Sequence, residues 1–193
     1  MKKFIILLLI LMVSASVFAF DMGRFMLGIS FGISGSSEKS AQNGTQVSSG
    51  KFGFVVRLRG DYMIDDLTSA TLMISYDSPS KNVLESTFLK SNSEVQSPKY
   101  IKIFTGISKY STNNNLLVAT GIGPELAIDI TSGTVGGGAA TYIRTSYSLP
   151  GSNLLFDSTA VGEAEWIKDM PTDDDVHFYL DGNVSAGFTY CFK

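Results

Sequence analysis

Beyond residue 23 the chain is built from stretches in which apolar and polar residues alternate. The cleanest is 177–192. Phe178, Leu180, Gly182, Val184, Ala186, Phe188, Tyr190 and Phe192 fall on one side. Tyr179, Asp181, Asn183, Ser185, Gly187, Thr189 and Cys191 fall on the other. Successive side chains of a strand point to opposite faces, so the pattern predicts one long strand with an apolar and a polar face. An ordinary globular strand has about five or six residues. A tilted strand crossing a bilayer needs about 9–11.

Seven further strands are predicted at 24–34, 51–64, 69–77, 99–110, 116–126, 139–149 and 154–167. Residues 99–110 alternate less cleanly, because Tyr100 and Phe104 join the polar side. Pro124 lacks the ladder N–H, which predicts a bulge or a strand end near it. The connections alternate in predicted length. Turn-forming clusters at 65–68, 111–115 and 150–153 are short. Polar or Gly-rich segments at 35–50, 78–98, 127–138 and 168–176 are predicted as long loops, all at the opposite end.

Amphipathic strands alone do not say which face points outward. The alternation of connection lengths and the even strand number match an outer-membrane barrel. The polar faces carry Gly, Ser and Thr together with charges of both signs. Arg57, Arg59, Lys102 and Arg144 stand against Asp61, Glu125, Asp157, Glu163, Glu165 and Asp181. An eight-stranded interior is just wide enough for side chains to fill, and buried charges are costly unless paired. Ion pairs across the interior are therefore expected. Aromatic residues near strand ends (Phe25, Tyr62, Tyr76, Trp166, Phe178, Tyr190, Phe192) suit interfacial girdles. The fold class is all-β: an eight-stranded antiparallel up-and-down transmembrane β-barrel.

The first nineteen residues change the location. Lys2 and Lys3, an apolar run from Phe4 to Val13 and Ala19 form a secretory signal, with cleavage expected after Ala19. The domain division is thus 1–19 signal peptide and 20–193 barrel. The chain has 193 residues, net charge −3, one cysteine and no basic block. Those counts argue for one domain, against an internal disulfide framework and against a nucleic-acid partner.

On strand count, loop asymmetry and the final strand, residues 21–192 resemble the small outer-membrane barrels of the OmpX/OmpA/OmpW type. In that family the last strand ends on an aromatic residue that the barrel assembly machinery reads. Phe188, Tyr190 and Phe192 fit that pattern, and Lys193 follows them. The resemblance implies outer-membrane lipid and that machinery as partners.

The chemistry is sparse. His177 is the sole histidine and has no serine within three residues, so it reads as an interfacial side chain rather than a general base. Asp173, Asp174 and Asp175 lack a full calcium-loop spacing and read as a solvated tip. Gly136–Gly138, Gly121 and Gly123 lack the lysine and helix of a phosphate loop. Cys191 faces the interior and reads as inert. No catalytic, cofactor-binding or metal-binding residue is assigned, and no enzyme activity or cofactor is expected. The expected function is structural or surface interaction through the loops, with an extracellular ligand there as a possible partner. A narrow channel for small or apolar solutes, or a lipid-modifying enzyme centred on His177, are the alternatives.

Overall fold

The computed structural model describes residues 24–42, 45–79, 99–113, 115–168 and 176–192, with side chains except at 36–51, 79, 167–168 and 176–179. The signal segment, most of the 78–98 loop and the Asp173–Asp175 tip lie outside the described residues.

Eight strands follow one another: β1 (Phe25–Gln42), β2 (Thr45–Asp65), β3 (Thr68–Pro79), β4 (Tyr100–Asn113), β5 (Leu116–Asp129), β6 (Val135–Ser148), β7 (Leu154–Lys168) and β8 (Val176–Cys191). Each pairs antiparallel with the next, and β8 pairs with β1 to close the barrel.

The pairing fixes the shape. Starting at Ile29 and stepping from partner to partner, the path runs through Leu58, Ile74, Ile103, Leu126, Gly137, Trp166 and Phe178. It returns to β1 at Lys39, ten residues from its start. Ten residues at about 3.3 Å each, spread over eight strands about 4.8 Å apart, tilt the strands by about 40° from the barrel axis. Each residue then rises about 2.5 Å along that axis.

The two faces separate as the alternation predicts. Ile33, Phe52, Ile107, Ile122, Val184 and Phe188 stand on the outer wall, with Ile122 68% and Ile33 69% exposed. The charges of the polar faces point inward. Arg144 and Asp61 are fully buried and Lys102 is 1% exposed. A water-soluble barrel has the reverse arrangement.

Two predicted loops are largely strand. Within 35–50, β1 continues to Gln42 and β2 begins at Thr45, paired from Gly35↔Phe52 to Gln42↔Thr45. Ladder bonds join main-chain groups and leave no mark in a run of Ser, Gly and Thr. Within 127–138, β5 continues to Asp129 and β6 begins at Val135. The connection is only 130–134, closed by Asp129 N–H to Thr134 O (2.9 Å) and Gly133 N–H to Asp129 O (2.8 Å). The side chain of Asp129 also accepts from Thr131 N–H and Ser132 Oγ.

Pro124 does not end or bulge its strand. β5 keeps one register through it, and only the β4 ladder lapses between Phe104↔Glu125 and Ile107↔Ile122. Near the turn end, β2 shifts register once against β3, between Met63 and Asp65.

The short turns carry the expected chemistry. Ser152 N–H donates to Leu149 O (3.2 Å) around Pro150–Gly151, and Gly151 has φ 72°. Proline at the second turn position and a left-handed glycine at the third define a type II turn. At the β2–β3 turn, Leu67 N–H donates to Asp65 Oδ1 (2.8 Å). That bond holds the exposed Asp65 carboxyl below the usual aspartate range.

Candidate functional site in the barrel interior

The inward faces form three levels. Nearest the short turns is an ion-pair network. Arg59 Nε meets Asp61 Oδ2 at 2.9 Å, and its Nη2 meets Asp157 Oδ2 at 3.0 Å. Arg144 Nη1 reaches the same Asp61 oxygen at 3.0 Å, and its Nη2 donates to Tyr110 Oη at 3.0 Å. Thr189 bonds both Arg59 and Asp157. Thr71 donates to Asp61 Oδ1 at 2.8 Å. Two guanidinium groups and two carboxylates face one another here. They come from β2, β6 and β7, which the 40° tilt brings round to a shared depth.

Above them along β3, β4, β6 and β7 lies an apolar level. Met73, Phe104, Ala140, Tyr142 and Val161 belong to one buried cluster, with Phe104 and Tyr142 edge to face at 6.0 Å between centroids. Gly121 makes room for it. A Cβ there would lie 2.3 Å from Tyr142 Cε1 and 2.8 Å from Ser108 Oγ. The ring therefore lies against the wall and its hydroxyl bonds Ser108.

Beyond this layer, toward the end where β3 and β7 finish and β4 and β8 begin, is an acidic group. Lys102 Nζ contacts Glu163, Glu165 (2.6 Å) and Asp181 (2.8 Å). Arg57 donates to Ser185 (3.1 Å) and to Asn183, and Asn183 Nδ2 donates to Glu163 Oε1 (2.9 Å). Ser34 donates to Asp77 Oδ1 (2.6 Å). Carboxylate oxygens of Glu125, Glu163 and Glu165 all lie within 4.8 Å of one another.

All ten charged residues singled out on the polar faces point into the interior. The structure joins most of them and sorts them into two groups. Sequence reasoning missed the level between, although Phe104, an apolar residue on the polar face of 99–110, was a visible sign of it. It also missed the convergence of the three glutamates, which depends on register. His177 lies in β8 opposite Ile167, and its side chain is outside the described residues. Cys191, paired with Met26 at the turn end, is half-buried against the same cluster, which there includes Met26, Tyr110 and Ala119.

No family model and no curated protein matches the chain. Solved structures do. Neisserial surface protein A (NspA) is similar over 87% of this chain and 97% of its own, at 16% identity and TM-score 0.54. Ail, the attachment invasion locus protein of Yersinia pestis, solved with the heparin analogue sucrose octasulfate, covers 86% of this chain and 99% of its own at 17% identity and TM-score 0.42. With its strand count, its closure of β8 on β1 and its inward charges, the chain has the small eight-stranded β-barrel fold of NspA.

Proposed function

We propose that this chain is an integral outer-membrane protein without enzymatic activity, exported by its N-terminal signal. Its interior is closed by its own side chains, and its role is structural or a surface interaction at the loop end. The observation that carries this reading is the inverted wall. Large apolar side chains such as Phe31, Ile33, Ile107, Ile122 and Val184 are more than half exposed, while Arg144, Asp61 and Lys102 are sealed inside. In water such an outer surface is far larger than the apolar patches soluble monomers tolerate. Against hydrocarbon it is the stable arrangement, because a closed barrel satisfies every backbone group internally.

The interior argues for closure rather than conduction. Ion pairs, the Phe104–Tyr142 layer and the Lys102 group succeed one another across it, each bonded from several strands. The long β1–β2 hairpin, paired to Gln42↔Thr45, rises at the end opposite the short turns, which suits contact with an external partner. Two experiments test the reading. Membrane fractionation with heat-modifiable gel migration should place a folded barrel in the outer membrane, and a soluble product with unchanged migration would refute the location. Purified protein in planar bilayers should give no stable single-channel step. A reproducible step would favour the narrow-channel alternative.

A further inference from the structure

The acidic group is short of positive charge. Five carboxylates (Asp77, Glu125, Glu163, Glu165 and Asp181) lie within electrostatic reach of Lys102, and among the described residues only Arg57 adds further positive charge to them. The turn-end network, by contrast, balances two carboxylates with two guanidinium groups. An uncompensated buried charge costs several kcal/mol, so the imbalance is met either by a counter-charge or by a proton.

The geometry locates where that charge belongs. Glu125, on β5, is directly opposite Gly138, and Gly138 is directly opposite Glu165 on β7. The two carboxylates therefore flank a residue with no side chain. A Cβ on Gly138 would fall 2.1 Å from Ala164 O, so the strands press together there and leave the space in front to the glutamates. Glu125 is 93% buried and Glu165 99% buried, since they are 7% and 1% exposed. Glu125 Oε1 and Glu165 Oε2 nonetheless meet no hydrogen-bond donor among the described residues. Glu163 is fixed beside them by Lys102 and Asn183.

We propose that Glu125, Glu163 and Glu165 bind one hard divalent cation, of the Ca²⁺ class, inside the barrel. Carboxylate oxygens are the ligands such ions take, at about 2.3–2.6 Å. Oxygens within 4.8 Å of one another can share a single ion at that distance. Lys102 holds Glu163 and Glu165 from one side, and water completes the coordination. The competing occupant of the Glu125–Glu165 contact is a shared proton.

The test is calorimetric titration of CaCl₂ into the purified, folded barrel in detergent at neutral pH, after chelator treatment. The expected result is one saturable site per chain, weakened at least tenfold in Glu125→Gln. A variant with Asp173, Asp174 and Asp175 all changed to Asn should keep that site. Heat-modifiable migration confirms that each variant is folded. If Glu125→Gln alone does not fold, Glu165→Gln supplies the same comparison. Absence of saturable binding by the wild type would overturn the proposal and leave a shared proton in its place. So would binding that Glu125→Gln leaves unweakened, whether or not it depends on the loop aspartates.

Discussion

Replacing Ile122 with lysine is the sharpest test of what surrounds the barrel. Ile122 is on the outer wall of β5, 68% exposed, between Ile107 of β4 and Thr141 of β6. It lies six residues beyond Leu116, the first residue of β5. At about 2.5 Å of rise per residue this is about 15 Å from the turn end. A hydrocarbon-facing band about 25 Å tall would place it near the midplane. Lysine there should destabilise the folded barrel by about 2–4 kcal/mol, and lysine at Leu116, near the interface, by only about 0–1 kcal/mol. The assay is reversible denaturant unfolding in lipid vesicles, followed by fluorescence of Trp166, the sole tryptophan, which stands on the outer wall. If the wall faced water, removing an exposed isoleucine would change stability by less than about 0.5 kcal/mol or raise it. Equal small effects at both positions would therefore refute the membrane reading, however well the strands alternate.

Other outcomes follow from the interior and the turns. Asp61→Ala strands Arg59 and Arg144 without their shared carboxylate and should cost about 3–5 kcal/mol in the same unfolding assay. Adding Arg144→Met should recover part of the loss, and strict additivity would argue against a coupled network. Gly151→Val forces a β-branched residue to φ 72°, and should cost about 1–2 kcal/mol without altering the barrel's migration. Asp65 accepts the Leu67 amide as a carboxylate, and its folded value is depressed. Its contribution to the turn is therefore complete above the usual aspartate value and is lost as pH falls through its own lower one. A carboxyl titration by NMR should find that midpoint below the usual range, and a midpoint at or above it would refute the assignment.

What the sequence reveals here is what side chains encode. Where one face is apolar and the other polar, as at Phe25–Ser34 or Leu154–Trp166, period-two alternation marks the strand and its orientation. Where both faces carry polar side chains, as at 36–50, main-chain pairing continues without any such mark, so strand reads as loop. Gly136–Gly138 fails for the same reason: three residues without side chains cannot show a face, yet all three are paired to β5. Pro124 misleads in the other direction, because one lapsed ladder can be tolerated when the opposite neighbour, Ala139, still pairs. The ten interior charges are legible as a set from their alternation. Their partners are not, since Glu125 and Glu165 meet only once the register of three strands is known.

The ten-residue offset around the barrel has a consequence for which insertions the chain can accept. A circuit must come back with the same parity, or inside and outside would change places along the seam between β1 and β8. One residue gained or lost in the middle of a strand would present charges to the exterior over the rest of that strand. Length changes should thus be confined to even numbers within the wall or to its ends. The one register slip among the described residues, between Met63 and Asp65, obeys this rule: it falls beside the turn, where no further wall remains to be inverted.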